Sequence, residues 1–294
     1  MRAGGRSVGP AEHAGVQVLT RRHLFNVGHS LGCVSFAVGA DAYDRFMGRY
    51  SAPLAPAFAA FAAVVDGQRV LDVGCGPGAL TAELVKRLEP FAVSAVDPSD
   101  AFVAAARERY PGVDVRRATA EQLPFEDEVF DAALAQLVVH FMDDPVAGLR
   151  EMARVTRRGG VVAACVWDHA GGEGPLGLFW SAAHELDPDC EGESHLAGAR
   201  KGDLAELFGE ARLHIVEDTA LSITVEHSTF EEWWDPFTLG VGPAGSYLAA
   251  LDATERVRLR EQCRAMLPTT PFTLTARAWA ARGLVSPNPS RARG

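Results

Sequence analysis

The chain has 294 residues, of which 48% are hydrophobic, 22% charged and 8% aromatic, proportions of an ordinary globular protein long enough to bury a sizeable core. Its 28 basic and 38 acidic residues leave a net charge of −10, which argues against nucleic acid as the main partner, because duplex binding needs a basic face. No stretch approaches the ~18 uninterrupted apolar residues of a membrane-spanning helix.

Among the basic residues only Lys86 and Lys201 are lysines, a bias that a GC-rich coding sequence explains better than chemistry does. The cysteines, Cys33, Cys75, Cys165, Cys190 and Cys263, are odd in number and form no C-x-x-C pair. They read as reduced thiols of a cytoplasmic protein, neither a disulfide framework nor a zinc site.

Residues 1–40 are rich in Gly, Ser, His and Arg without a sustained period and read as disordered or as an upstream extension. The run Thr20-Arg21-Arg22-His23-Leu24-Phe25 superficially resembles a twin-arginine export signal, but Asn26, His29 and several glycines interrupt the apolar region that should follow. Val34 can be encoded by GTG and is a candidate native start. Helical signals run over 42–65, and Asp66-Gly67 breaks them as a turn. A short apolar strand over 69–73 leads into Gly74-Cys75-Gly76-Pro77-Gly78, and Leu80, Leu84, Val85 and Leu88 then mark a helix.

The alternation continues. Strands are predicted over 91–96, 113–118, 129–136 and 160–167, the last after a turn at Arg158-Gly159, with helices over 100–110 and 146–155. Such alternation implies a doubly wound α/β fold, a mostly parallel sheet covered on both faces. Beyond residue 168 the pattern changes to Gly, Pro and acidic residues with a helix at 178–186. A further helix is predicted at 204–208, edge-like strands over 214–225, mostly helix over 230–267 and a strand over 272–280. The domain reading is therefore one unit over 41–284, with its core at 41–167 and helical lid insertions and the end of the sheet after it, then a flexible tail over 285–294.

Gly74 and Gly76 let the backbone turn sharply and approach a ligand without a Cβ in the way. Pro77 suits a first helical turn, and free N–H groups there favour an anionic group. Asp97, ending the second strand and followed by Pro98, is placed to accept both hydroxyls of a ribose. Together these features indicate a nucleotide site. Gly74-x-Gly76-x-x-Ala79 also satisfies the loose dinucleotide fingerprint, so an NAD(P)-dependent oxidoreductase stands as an alternative.

The run Val70-Leu71-Asp72-Val73-Gly74-Cys75-Gly76-Pro77-Gly78 resembles the first motif of the class I S-adenosylmethionine-dependent methyltransferases. Ala120-Glu121-Gln122-Leu123-Pro124-Phe125 resembles their adenine-contacting segment, the stretch from Phe130 to His140 their fourth strand and following loop, and Arg157-Arg158-Gly159-Gly160 their Pro-Gly-Gly turn. The match spans roughly residues 41–167 and is most similar to the ubiquinone and menaquinone biosynthesis branch. The resemblance implies a seven-stranded sheet in the order 3-2-1-4-5-7-6 with an antiparallel seventh strand, and S-adenosylmethionine as cofactor.

It further implies that Gly74, Cys75 and Gly76 line the methionine part, Asp97 and Pro98 the ribose, and Thr119, Ala120 and Glu121 the adenine. Gln136 would face the methionine amine, chiefly through its carbonyl. The family often has Asp where this chain has Thr119. Tyr43 and Tyr50 either close over the cofactor or simply pack their helix.

In-line methyl transfer needs alignment and dryness more than covalent help. His140, just past the fourth strand, is the candidate general base, with a core histidine as the plainer reading. Trp167, Trp233 and Trp234 either line an apolar acceptor pocket or pack helices on the sheet. His184, Cys190 and His195 match no metal-site spacing. The expected function is methyl transfer to a small organic acceptor in the cytoplasm, without metal, nucleic acid or membrane span. A non-catalytic module that binds S-adenosylmethionine is a second alternative.

Overall fold

The computed structural model describes Met1 and residues 39–286. The N-terminal segment with its arginine pair, Cys33 and Val34, and the tail beyond residue 286, lie outside the described residues.

The described chain opens with α1 (Ala40–Tyr43), a π-helical turn over Asp44–Gly48, and α2 (Arg49–Phe61). Leu54 and Phe58 on α2 and Ala62 at its C-cap recur at helical spacing and are buried, and this apolar stripe carries the helix through Pro53 and Pro56. β1 (Val70–Val73), α3 (Ala79–Arg87), β2 (Val93–Asp97), α4 (Asp100–Arg109), β3 (Asp114–Arg117), β4 (Phe130–Gln136), α5 (Pro145–Val155) and β5 (Thr156–Trp167) complete the alternating half. Then come α6 (Gly177–Leu186), α7 (Asp203–Glu210), β6 (His214–His227), α8 (Phe230–Trp234), α9 (Gly242–Ala250), α10 (Ala253–Met266) and β7 (Phe272–Leu284).

The seven strands form one sheet in the order β3-β2-β1-β4-β5-β7-β6, in which β1 to β5 pair in parallel and β7 runs antiparallel to both β5 and β6. Period-2 alternation divides the side chains between two faces. Val70, Val93 and Leu134 bury against α2 and α3 with Leu54, Phe58 and Leu84. Leu71, Val73, Ala133 and Ala135 bury against α5 and α7 with Leu149, Met152 and Phe208. The sheet is thus covered on both faces, as a parallel sheet must be.

Two local expectations are corrected. Pro77 does not open a helix: α3 begins at Ala79, after Gly78 at φ +104°, and is tied to β1 where the Thr81 hydroxyl donates to Asp72 at 2.6 Å. Arg158-Gly159 does not precede a strand. β5 begins at Thr156 and carries an irregularity, since Phe130 pairs Thr156 while Ala132 pairs Val161, and Gly159 absorbs the excess at φ +70°. At the C-terminal end Val285 still bonds Gly159 and Gly160, so the sheet contact reaches one residue into the expected tail.

The inserted helices form their own aromatic core. Phe179, Trp233, Trp234, Phe237, Leu248, Leu259 and Cys263 are buried together, with Phe46 from the N-terminal turn, and Phe179 stacks on Phe237 at 4.5 Å. Trp233 and Trp234 therefore pack helices. Among the described residues no helix is long and apolar enough to cross a membrane.

Candidate functional site

At the carboxyl ends of β1 to β4 lies a cleft of about 310 Å³. In an open α/β sheet this is where the strand order reverses and adjacent crossovers diverge, leaving a crevice. Gly74 and Gly76 line it from the turn after β1, Asp97, Pro98 and Ser99 from the end of β2, Ala118 to Glu121 from the loop after β3, and Leu137 and Val138 from the end of β4. Tyr43 closes one side, its ring edge-on to Phe102 at 5.2 Å.

The glycines are required for distinct reasons. Gly74 sits at φ +70°, and a Cβ there would meet Val138 at 2.5 Å. Gly76 sits at φ +53°, and a Cβ there would project into the cleft, with Tyr43 at 3.9 Å as its neighbour. The amides of this turn are not free. Gly74 and Cys75 both donate to the Val96 carbonyl, Gly78 donates to Cys75, and Gly76 donates to Asp97. The expected cradle of anion-binding N–H groups is therefore absent at these positions, because the turn is hydrogen-bonded across to β2.

Asp97 is 6% exposed. One carboxylate oxygen accepts from the Gly76 amide at 2.9 Å and the other from the Ser99 amide at 2.8 Å. Burial raises its pKa, and those two amides oppose the rise. Each oxygen keeps a further lone pair for a ligand hydroxyl.

Of the residues singled out in the sequence, Tyr43, Gly74, Gly76, Asp97, Pro98, Thr119, Ala120 and Glu121 meet around this cleft, and Cys75, Gln136, His140 and Tyr50 do not. Cys75 turns its thiol into a small cluster with Ala95, Val103, Ala106 and Val115. Gln136 lies two residues beyond Leu134, hence on the α2 face, where its amide donates to the Ser51 carbonyl at 3.0 Å. His140 lines an adjacent pocket instead. Tyr50 is also outside: it is buried against α2's neighbours, its hydroxyl 3.3 Å from His227.

The adjacent pocket holds about 30 Å³ and shares Tyr43, Leu137 and Phe141 with the cleft. Its walls include Phe46, Met47, Trp167 and Leu176, with His140, His169 and Glu193 as titratable groups. His140 is 4% exposed, its Nδ1 has no partner, and burial together with His169 lowers its pKa well below the ordinary value. His169 is lowered to about 4 by burial. Leu137, between the two cavities, holds φ +62°, an uncommon conformation for a bulky residue and a mark of local constraint.

Sequence reasoning misses Phe102, Val138, Phe141 and Met142, since apolar residues give no signal separating wall from core. It also misses Glu193, hidden in the acidic run around residue 191, and His169, which follows β5 without a motif.

A family model described as a methyltransferase domain matches residues 71–164. Phosphatidylethanolamine N-methyltransferase of Cereibacter sphaeroides is 32% identical over 162 residues, covering 53% of this chain and 75% of that protein. The 2-methyl-6-phytyl-1,4-hydroquinone methyltransferase 2 of Oryza sativa subsp. japonica is 39% identical over 100 residues, but the chain spans only 28% of its length. A crystal structure from Bacillus halodurans shares the fold at TM-score 0.53 and 18% identity, covering 79% of this chain and 99% of that one. With three-quarters of an N-methyltransferase covered by related sequence, and with the strand order and glycine turn in place, the chain belongs to the class I S-adenosylmethionine-dependent methyltransferases.

Proposed function

We propose that this protein transfers a methyl group from S-adenosylmethionine to a small organic acceptor. The observation that carries the reading is the convergence of Gly74, Gly76, Asp97 and Thr119 to Glu121 on one cleft at the strand switch point. The residues fit the cofactor: the space a Cβ at Gly76 would fill is left open, and Asp97 retains a lone pair on each oxygen. Asp97 would then hold the two ribose hydroxyls, with Pro98 beside the sugar. Thr119, Ala120 and Glu121 would border the adenine against the apolar walls of Phe102 and Met142. Gly74 and Gly76 would admit the methionine part, and Tyr43 would cover it. Cys75 and Gln136 support the turn and the end of β4 from behind. The committed amides of the glycine turn leave little for a pyrophosphate, which weighs against a nicotinamide dinucleotide.

The donor, when bound, supplies a methyl already activated on a sulfonium for in-line displacement. The protein's part is to align the acceptor and keep water out. The inner pocket beside the cleft supplies apolar walls for that purpose, and the helical segment from 168 onward would act as its lid through Leu176, Glu193 and Val241. His140, held neutral by burial, has an unpartnered Nδ1 able to take a proton from the acceptor. Cys75, Cys165, Cys190 and Cys263 are buried free thiols, which fits a reducing, cytoplasmic setting.

Calorimetric titration with S-adenosylmethionine tests the site. Asp97→Ala removes charge-assisted hydrogen bonds worth about 1.5–3 kcal/mol and is expected to weaken binding roughly ten- to hundredfold. Unchanged affinity would overturn the assignment, as would tighter binding of NAD than of S-adenosylmethionine.

A further inference from the structure

The inner pocket has a composition that the cofactor does not explain. Glu193, on the segment between α6 and α7, is 4% exposed, and its hydrogen-bond partner among the described residues is the Trp180 indole N–H, which donates to Oε2 at 2.6 Å. No lysine or arginine lines the pocket, and no cation pairs with Glu193 among the described residues. The pocket is also lined by the rings of Phe46, Phe141 and Trp167 and by the buried His140, whose Nδ1 is without a partner.

A carboxylate in an apolar enclosure with one hydrogen bond is costly unless a cation compensates it. Aromatic faces attract the same cation through their quadrupoles. Neutral imidazole nitrogens accept its N–H groups. The volume sets the size: about 30 Å³, where one water needs ~10–15 Å³, admits a head of two or three heavy atoms. We propose that this pocket seats an ammonium head group of the acceptor against Glu193, so that the acceptor is a basic amine and not a neutral alcohol. The proposal rests on the methyltransferase reading and names the substrate class of that same site. Burial raises the Glu193 pKa to about 7, the response of a carboxylate that lacks its counter-ion. The Trp180 indole orients the carboxylate as a positioning residue, since it occupies one oxygen and leaves the other for the head group.

The test uses the full chain saturated with S-adenosylhomocysteine, so that no turnover interferes, and NMR titration with ethylamine and butylamine against ethanol and 1-butanol. The amines are expected to bind at least about tenfold more tightly than the alcohols, as a hydrogen-bonded charge pair requires. Glu193→Gln, which keeps the shape and an acceptor for Trp180, should abolish that preference while the affinity for S-adenosylhomocysteine stays unchanged. Equal binding of amines and alcohols, an amine preference that survives Glu193→Gln, or a saturated protein that binds no amine overturns the proposal. A chain that fails to bind S-adenosylhomocysteine at all sinks the methyltransferase reading and this proposal with it.

Discussion

At the scale of single residues, the glycine turn depends on a buried acid outside the cleft. Asp72, 1% exposed in the centre of β1, accepts from Thr81 and so anchors α3 beneath the turn. Burial raises its pKa to about 7, with Asp97 adding to the rise and Thr81 opposing it. A carboxyl whose folded pKa lies above its unfolded value binds its proton more tightly when folded, so its contribution declines as pH rises from about 4 through 7. Asp72→Asn removes that titration. The melting temperature of the variant relative to the parent should therefore rise between pH 4 and pH 7 and level off above it, and a constant difference across pH 4–7 would refute the linkage. The two glycines should separate stability from binding. Gly74→Ala drives a Cβ into Val138 and should destabilise the fold by roughly 1–3 kcal/mol, measurable by urea unfolding. Gly76→Ala carries the strain of φ +53° but no clash, and its methyl enters open cleft space beneath Tyr43, so it should lower S-adenosylmethionine affinity beyond its smaller cost in stability.

At the scale of elements, the cleft is assembled by ties between helices distant in sequence. Arg109, ending α4, reaches Asp44 in the π-helical turn at 2.7 Å and the Pro77 carbonyl in the glycine turn at 3.2 Å. It thus holds the segment bearing Tyr43 against the loop it covers. A π-helical turn at this position is itself a frequent mark of functional sites. The pair is partly exposed and contributes little to global stability, yet it positions a cleft wall. Arg109→Ala is expected to weaken S-adenosylmethionine binding a few-fold, chiefly through faster dissociation, with a nearly unchanged melting temperature. Stopped-flow dissociation and thermal unfolding together check this. A second tie joins α2 to the inserted helices: Arg49 donates to the Glu232 carbonyl at 2.9 Å and meets His227 Nδ1 at 3.1 Å. The N-terminal helices and the candidate lid are therefore mechanically linked, although 183 residues separate Arg49 from Glu232.

At the scale of the whole molecule, the cleft draws on the ends of four strands and on α1, so a bound cofactor favours the folded state as a unit. At a hundred times its dissociation constant a ligand adds about 2.7 kcal/mol, several degrees in melting temperature for a chain of this size. Thermal scans with and without S-adenosylmethionine should show that shift for the parent and lose most of it for Asp97→Ala. An equal shift in both would place the cofactor elsewhere.

The sheet and most of the cleft were legible in one dimension because they are local. Strand, glycine turn and helix are contiguous around Gly74 and Gly76, Asp97 ends a short apolar strand, and the adenine-side segment follows β3 directly. Backbone turns and strand ends place such residues whatever happens elsewhere in the chain. Alternation of apolar runs likewise implied helices on both faces. What only the tertiary structure decided concerns direction and encounter. Whether Gln136 faces the cleft or α2 is a matter of period-2 phase set by packing across the sheet, and whether the turn's amides are free depends on how closely β2 approaches. His140, His169 and Glu193 come from separate stretches, and no spacing rule relates them. They meet because the inserted helices fold back over the end of β4, burying an acid and two imidazoles whose sequence neighbours carry no trace of the enclosure.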